Sequence, residues 1–191
     1  MYAAPPPPLT PITSARLTLR PYQPTDEGVF FALLDQNRSR LAPAFPTRVA
    51  AVQTRADAVR LLAQFAQDWQ SGRLYVLGIW HSETNTYLGD ISLRPSWQLP
   101  RTAEIGYYLA AEAEGHGYAR EALGAAVTFG FGPNLSAHHL TLRCRHDNPR
   151  SIAVAEAVGF QTAPVRRRLW PMRGKAPEIR HFRLNSPGLA A

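Results

Sequence analysis

Cysteine is almost absent from this chain of 191 residues, in which Cys144 is the only one. A single cysteine excludes an internal disulfide. Long apolar runs are also lacking, and none approaches the roughly 20 residues of a membrane-spanning helix. The N-terminus has neither the charged start nor the apolar centre of a signal peptide. Together these absences predict a cytoplasmic protein with no membrane-spanning segment.

Acidic residues are the scarcer charged class, with 14 Asp and Glu against 21 Lys and Arg, which gives a formal net charge of +7. Such a balance suits a nucleic acid, an acidic protein partner or a polyanionic cofactor. No repeated interleaving of aromatic and basic residues suggests a single-strand platform, so we expect no nucleic-acid partner. The six histidines show no spacing typical of metal ligands, so we expect no metal site.

The length and the 45% hydrophobic content predict one domain with a sizeable core. Residues 1–13 are rich in proline and are predicted to form a disordered tail, whereas residues 14–187 are predicted to fold as one domain. Hydrophobic periodicity, together with the positions of glycine, proline and helix-capping residues, predicts the order β-α-α-β-β-β-α-β-α-β-β. This order is a mixed α/β fold.

The predicted boundaries are as follows. Strands are expected at 16–20, 74–80, 87–93, 102–109, 140–144, 165–170 and 178–184. Helices are expected at 26–37, from Thr54 or Asp57 to Gly72, at 118–131 and from Asn148 to Val158. Residues 38–53 and 95–101 are expected to be irregular.

The most informative stretch runs from Glu104 to Leu123 and predicts a strand, a glycine-containing turn and a helix. Gly115 and Gly117 stand where the helix begins, and a helix start leaves backbone N–H groups unpaired at the positive end of the macrodipole. Arg120 in the first turn is unfavourable there unless an anion is also bound. The stretch therefore predicts an anionic cofactor on Gly115–Arg120.

Known phosphate-binding patterns narrow the choice of cofactor. A P-loop requires Lys and then Ser or Thr after its second glycine, and the dinucleotide fingerprint requires a small residue where Arg120 stands. The segment Glu114-Gly-His-Gly117-Tyr-Ala119 instead resembles motif A of the GNAT N-acetyltransferases, from which it departs by having glutamate at position 114. Its extension to Leu123 resembles the ribosomal-protein acetyltransferase branch, RimJ/RimL-like. Taken alone, the glycines could equally serve a tight strand-to-helix connection.

Two further segments strengthen this resemblance. Asn148-Pro-Arg-Ser151 followed by Val158-Gly-Phe160 is similar to the helix that follows motif A in the family, and residues 16–21 resemble its N-terminus. The similarity extends from Leu17 to Leu184. It implies a single-domain GNAT-like fold in which a central, mostly antiparallel and splayed sheet is flanked by helices.

The resemblance also implies acetyl-CoA as co-substrate. Its pyrophosphate would be bound by Gly115, His116, Gly117, Tyr118, Ala119 and Arg120. Its pantetheine arm would lie along an open strand edge near Leu109, Ala110 and Ala111. Asn148 would face the cofactor, although this residue is also a good helix N-cap and the two roles can coexist.

Two catalytic candidates follow from the same resemblance. Glu104 would act as the general base on the amine, and Ser151 would donate a proton to the leaving thiolate. Glu104 could instead be an outward-facing strand residue and Ser151 an ordinary polar surface residue. Tyr107 and Tyr108 are further candidates for the proton donor. Cys144 is expected to be buried rather than nucleophilic, so transfer would be direct.

The resemblance implies that the amine acceptor is a protein N-terminus. A small-molecule amine is the alternative acceptor, and a non-catalytic domain that binds acyl-CoA is the alternative function. A homodimer is expected from the branch, whereas nothing in the sequence itself specifies one.

Overall fold

The computed structural model describes residues 10–164 and 178–187. Its strands are β1 Ile12–Thr13, β2 Leu17–Arg20, β3 Tyr75–His81, β4 Tyr87–Ser96, β5 Thr102–Leu109, β6 His139–Arg145, β7 Gln161–Thr162 and β8 Ile179–Asn185. Its helices are α1 Glu27–Gln36, α2 Arg38–Leu41, α3 Pro46–Ala51, α4 Arg55–Gln70, α5 Tyr118–Phe131 and α6 Pro149–Ala157. None of the helices in these ranges is long and apolar enough to cross a membrane.

The strands form one sheet in the order β1-β2-β3-β4-β5-β6-β8-β7. Only β5 and β6 are parallel, and every other pair of neighbours is antiparallel. The predicted mixed α/β fold with a mostly antiparallel sheet is confirmed. The single parallel pair lies at the point where α5 connects β5 to β6.

Helices cover both faces of the sheet, because successive strand side chains point to opposite sides. On one face, Phe30 of α1 and Phe65 of α4 share a buried cluster with Val76 and Tyr108 from the strands. On the other face, buried residues of α5 such as Leu123 pack with Ile105 and Leu142. The face covered by α5 also carries α6, whose Ala155 is fully buried.

Local sequence signals account for the helix boundaries. Thr54 and Asp57 form the capping box that starts α4. Asn148 caps α6 by accepting a hydrogen bond from the Ser151 N–H at 3.1 Å, and Pro149 occupies the first helical position. Gly159 follows α6 with φ of +96°, a conformation that favours glycine.

Two segments expected to be irregular are ordered instead. Residues 38–53 contain α2 and α3, because Leu41 and Val52 are buried against the first helical layer and Pro46 suits a helix start. Pro95 and Ser96 extend β4, where they pair with Ala103 and Thr102 of β5. The ladder with β3 has already ended at Leu93, so the missing N–H of Pro95 costs no hydrogen bond there.

The chain ends differ from expectation in part. Ile12 and Thr13 pair with β2, so regular structure begins within the segment predicted to be a tail, while residues 1–9 lie outside the described residues. The strand expected at residues 165–170 also lies outside them. The described neighbour of β8 on that side is the two-residue strand β7.

Candidate active site

The turn between β5 and α5 is built from two glycines in the left-handed conformation, with φ of +82° at Gly115 and +80° at Gly117. Gly117 is the N-cap of α5, and the first backbone bond of the helix runs from Glu121 N–H to Gly117 C=O. The N–H groups of the first turn, at residues 118–120, are therefore free to bind an anion. A Cβ added to Gly115 would meet no atom within 4 Å, so the space before the turn is open.

Arg120 supplies a positive charge at this turn. Its side chain is exposed, lines the cleft and makes no ion pair with any residue in ranges 10–164 and 178–187. Since the helix macrodipole disfavours a cation in the first turn, an unpaired arginine there fits a bound anion. The sequence prediction of a phosphate-binding turn is consistent with this geometry.

Arg16, which precedes β2, fixes the turn from outside. Its guanidinium donates to the His116 carbonyl oxygen at 3.0 Å and to Glu121 Oε2 at 2.9 Å, and it lies 4.7 Å from the centroid of the Tyr118 ring. Burial tends to raise the pKa of Glu121, but hydrogen bonds from Arg16 and Ser14 outweigh it and lower that pKa. Sequence reasoning missed Arg16, because its partners lie about a hundred residues away in the chain.

The parallel strands β5 and β6 diverge beside the turn. Their ladder ends at Ile105 and Leu142, whereas β4 remains paired to β5 as far as Leu109. The Ala110 N–H donates to Leu88 of the β4 side at 2.8 Å. Because adjacent residues direct their backbone groups to opposite edges, Tyr107 and Leu109 direct theirs into the gap between β5 and β6. The predicted splay of the sheet is confirmed.

Two side chains from the α1–α2 corner already bind part of this edge. Arg40 donates to the Leu109 carbonyl oxygen, and Asn37 Oδ1 accepts from the Ala111 N–H at 3.1 Å. Cofactor contacts are predicted at Leu109, Ala110 and Ala111, but the N–H groups of Ala110 and Ala111 already have protein partners. Of these three N–H groups, only that of Leu109 is left for a cofactor. The Leu109 N–H remains directed into the gap, together with the backbone groups of Tyr107.

Glu114, the residue that departs from motif A, has two basic partners. Its carboxylate forms ion pairs with Arg40 of α2 and with Arg150 of α6. The contact with Arg150 joins the β5–α5 turn to α6, and the Arg150 side chain is 80% exposed. Glutamate at this position therefore organises two cations beside the anion-binding turn.

Glu104 lies on β5 with its carboxylate bound to Arg143 of β6, at 2.9 Å from Nε and 2.6 Å from the terminal nitrogen. The glutamate side chain is 41% exposed and lines the cleft. The carboxylate therefore lies in a polar, solvated pair rather than in an apolar pocket. It is accessible to water from the cleft.

Ser151 lies in the first turn of α6 and lines the same cleft, close to the side chain of Tyr107. The Tyr107 hydroxyl is buried and makes no hydrogen bond within the described residues. Burial raises the pKa of Tyr107 to about 12, although the nearby Ser151 side chain opposes the shift. The Tyr107 and Ser151 hydroxyls therefore lie close together on one wall of the cleft.

Asp90, which sequence reasoning overlooked, lies beneath the wall of the cleft that Arg48 and Tyr108 form. It is 1% exposed, and its Oδ2 accepts from Arg48 at 2.5 Å, from the Tyr108 hydroxyl at 2.8 Å and from the Tyr22 hydroxyl at 3.1 Å. An aspartate within the apolar strand β4 was the available signal. The cluster joins α3 to the sheet and fixes one wall of the site.

Cys144 is buried on β6, and burial raises the pKa of its thiol. A protonated, buried thiol is a poor nucleophile, so the residue does not offer a covalent route. Among the described residues no group of three or more His, Cys, Asp or Glu is placed to hold a metal ion.

The cleft that joins these features has a volume of about 1070 Å³. The predicted site residues on its walls are Glu104, Leu109, Gly115, Gly117, Tyr118, Ala119, Arg120, Asn148 and Ser151. Ala110, Ala111 and His116 do not line it. The cleft extends without interruption from the anion-binding turn, past the open edge of β5, to Glu104 on the opposite face of the sheet.

Comparison with known proteins gives concordant matches. Residues 16–161 match the family model described as an acetyltransferase (GNAT) domain. YdaF of Bacillus subtilis, which is provisionally named a ribosomal N-acetyltransferase, is 28% identical over 148 residues, which are 75% of this chain and 77% of YdaF.

Two solved structures show the same fold. The ribosomal-protein-S5-alanine acetyltransferase of Vibrio fischeri superposes with a TM-score of 0.80 at 18% identity, and the match covers 95% of this chain and 100% of that one. RimL, a ribosomal L7/L12 α-N-protein acetyltransferase in complex with coenzyme A, has a TM-score of 0.78 at 20% identity, and the match covers 92% and 98%.

Proposed function

This chain belongs to the GNAT acetyltransferase family, and on that premise we propose that it acetylates the N-terminal amine of a protein. Acetyl-CoA is its co-substrate, as in the relatives that bind coenzyme A. The observation that carries the proposal is the continuous cleft, in which an anion-binding turn and an open sheet face meet at one strand edge. Relatives named for ribosomal-protein N-acetylation support the acceptor class, which in turn implies action in the cytoplasm.

The phosphates of the co-substrate would be held by the β5–α5 turn. The free N–H groups of residues 118–120 and the unpaired Arg120 supply donors and charge, and Gly117 allows close approach of the backbone. Asn148 would contact the cofactor from the start of α6 while continuing to cap that helix. When bound, acetyl-CoA supplies the activated acetyl thioester.

The open edge of β5 would position the thioester. Tyr107 offers its backbone N–H and C=O to the pantetheine arm, which is thereby added to the sheet like a short strand. The Leu109 N–H is directed into the same gap and would stabilise the negative charge that develops on the acetyl oxygen. These groups are rigidly held, because β4 is paired along the other edge of β5.

Glu104 would prepare the amine. An N-terminal ammonium must lose a proton before it attacks, and the Glu104 carboxylate can accept that proton through a chain of water molecules in the cleft. Arg143 fixes the orientation of the carboxylate through two hydrogen bonds. The pair leaves one carboxylate oxygen, Oε2, without a protein donor in the described residues and available to the water.

Ser151 and Tyr107 would complete the transfer on the other side of the gap. The two hydroxyls lie close together, and with the departing sulfur next to them Ser151 would donate the proton that the thiolate needs. The Tyr107 hydroxyl would hydrogen-bond to Ser151 and to the sulfur, which would give this buried hydroxyl a partner. The acetyl group passes directly to the amine, since the Cys144 thiol is buried and protonated.

A panel of acceptors tests the proposal. Purified protein and acetyl-CoA are incubated with a lysine-free peptide bearing a free α-amine, with an N-terminally blocked peptide containing one lysine, and with a polyamine, and CoA release is measured. We expect turnover of the first peptide alone. Turnover of the polyamine in preference to both peptides would assign a small-molecule acceptor, and acetyl-CoA binding without turnover would indicate a non-catalytic domain.

A further inference from the structure

Within the part of the chain that the structure describes, the sheet face toward the acceptor is exposed beyond Phe45. The Phe45 ring packs on Tyr108 at a centroid distance of 5.2 Å, and a Cβ added to Gly106 would lie 3.7 Å from it. Two residues further along β5 lies Glu104, which is partly exposed. This uncovered region, here called the open face, consists of Arg94, Glu104, Arg143, Arg145 and Arg183.

Strand register places all five side chains on the same side of the sheet. Arg94 of β4 is directly opposite Glu104, which in turn is aligned with Thr141 of β6. Thr141 is opposite Arg183 of β8, and side chains two residues apart on β6 share a face. The open face therefore extends across four neighbouring strands.

The charges on this face are strongly unbalanced. Arg94 is exposed and makes no ion pair within residues 10–164 and 178–187, and Arg183 is exposed and bonds only to the neutral Asn185 side chain at 2.8 Å. Arg143 is paired with Glu104, and Arg145 is paired with Asp147 at the end of β6. Two cations thus have no carboxylate partner among the described residues.

We propose that the open face binds acidic side chains of the acceptor polypeptide, so that the enzyme prefers N-termini followed by Glu or Asp. This inference rests on the proposed function, because it concerns the acceptor of the same site. The α-amine would lie at the Leu109 end of the gap. Glu104, which is directly opposite Arg94, precedes Leu109 by five residues. At a rise of about 3.3 Å per residue, Arg94 therefore lies roughly 17 Å along the strand from the α-amine.

That distance specifies which acceptor residues make the contact. An extended peptide covers roughly 17 Å in about five residues, so side chains at about the third to fifth positions reach Arg94 and Arg183. Arginine suits carboxylate partners, because its planar guanidinium can donate two parallel hydrogen bonds. The charge complementarity selects an acidic peptide rather than a basic one.

The test uses three peptides with the same first two residues and with Glu, Gln or Lys at the next three positions. We expect kcat/KM to fall in the order Glu, Gln, Lys, with the Glu peptide about tenfold above the Gln peptide, since several exposed pairs each contribute roughly twofold to threefold. The advantage should diminish at high salt. Arg94→Gln should reduce the advantage of the Glu peptide over the Gln peptide by about threefold and leave kcat/KM for the Gln peptide unchanged.

Arg60→Gln is the matched control, because Arg60 is an exposed arginine of α4 that does not line the cleft. This variant should not change kcat/KM for either the Glu or the Gln peptide. Equal kcat/KM for all three peptides, or an equal loss with both peptides in Arg94→Gln, would overturn the inference while leaving N-terminal acetylation intact. If no peptide is acetylated although a small amine is, the proposed function itself fails. Equal turnover together with RNA binding that Arg94→Gln abolishes would assign the face to nucleic acid.

Discussion

At the scale of single residues, the Glu104 carboxylate is both held in place by the protein and open to solvent. Its pairing with Arg143 orders the carboxylate, and its partial exposure admits water and the acceptor. A general base typically contributes about 10² to 10⁴ in rate when the proton transfer is part of the chemical step. The same pairing would hold a purely structural strand residue in place, so kinetics must separate the two roles.

Glu104→Gln should lower kcat by about 100-fold and leave the Kd of acetyl-CoA unchanged, because only the proton acceptor is removed. The deficit should shrink above about pH 8, where a free α-amine is already deprotonated. Steady-state kinetics across pH provide the measurement, and Glu83→Gln in the exposed β3–β4 turn is the control. Unchanged kcat in Glu104→Gln would remove this residue from the mechanism.

Tyr107 has a hydroxyl that is costly for the fold and useful to the reaction. Tyr107→Phe should leave the free energy of unfolding unchanged or raise it by about 1 kcal/mol, since a buried hydroxyl without a partner is deleted. It should also lower kcat by about tenfold with KM unchanged. Urea unfolding and kinetics measure both effects. A loss of stability with normal kcat would indicate that Tyr107 serves packing alone.

At this scale the sequence predicted residues that belong to local patterns. The sequence predicts Asn148 from its helix-start pattern and Glu104 from its position in an apolar strand. Arg40 and Arg150 could not be predicted, because each acts on partners far away in the chain. Asp90 carried a signal, its position in an apolar strand, but its partner Arg48 could not be predicted for the same reason. A charge can be read from a sequence, but its ion-pair partner is determined by the tertiary fold.

At the scale of elements, the β5–α5 turn is the feature most constrained by its backbone. Gly117→Val should destabilise the protein by about 1–2 kcal/mol, because a β-branched residue is strained at φ of +80°. It should also weaken acetyl-CoA binding by at least about tenfold, since the strained turn would no longer hold the N–H groups of residues 118–120 in place and the added Cβ would lie 3.5 Å from the Arg16 guanidinium that supports it. Calorimetric titration and thermal unfolding are the measurements.

Gly124→Ala provides the comparison within the same helix, as a Cβ there would meet no atom within 4 Å. It should stabilise α5 by about 0.5–1 kcal/mol with unchanged affinity. If Gly117→Val binds acetyl-CoA as tightly as the wild type, the phosphate-binding role of the turn is wrong.

The elements themselves were largely predictable where they carry a strong period or a cap. The helix at 118–131 was predicted to the residue, and α4 followed from its apolar stripe and its capping box. The short helices α2 and α3 were missed, because each is less than two turns long and contributes few buried residues. Their existence depends on packing against α1 and the sheet rather than on their own sequence.

At the scale of the whole molecule, the cluster around Asp90 links the helical layer to the sheet and makes stability sensitive to alkali. Burial, followed by the negative charge of Asp90, raises the pKa values of Tyr22, Tyr87 and Tyr108. The folded state therefore retains these protons at a pH where the unfolded chain loses them. Stability is fully present below about pH 10, the ordinary tyrosine pKa, and is lost as the pH rises further.

The free energy of unfolding should fall by about 1.4 kcal/mol per pH unit for each such tyrosine above about pH 10. Urea unfolding at about pH 9 and about pH 11 measures the difference, and tyrosinate absorbance should appear with unfolding. Lys175 is the only lysine, so tyrosines dominate the titration in this range, and Tyr75 and Tyr107, whose pKa values burial also raises, add to the slope. Tyr22→Phe should reduce the slope by one tyrosine, and equal stability at both pH values would contradict the account.

The whole-molecule architecture was predictable because motif order, element order and hydrophobic pattern agree. Homodimerisation stays a prediction. The acceptor surface was not predictable, because Arg94, Arg143 and Arg183 become neighbours only through the register of four strands.

The central claim is that one cleft holds a CoA thioester beside the N-terminus of a polypeptide. The most direct measurement is calorimetric titration with a conjugate in which an acetyl bridge joins the CoA sulfur to the α-nitrogen of an acidic peptide. It should bind about 100-fold more tightly than CoA, because both halves engage at once. A conjugate made through a lysine side chain of an N-terminally blocked peptide should lack this gain. Equal affinities for CoA and the α-nitrogen conjugate would contradict the claim.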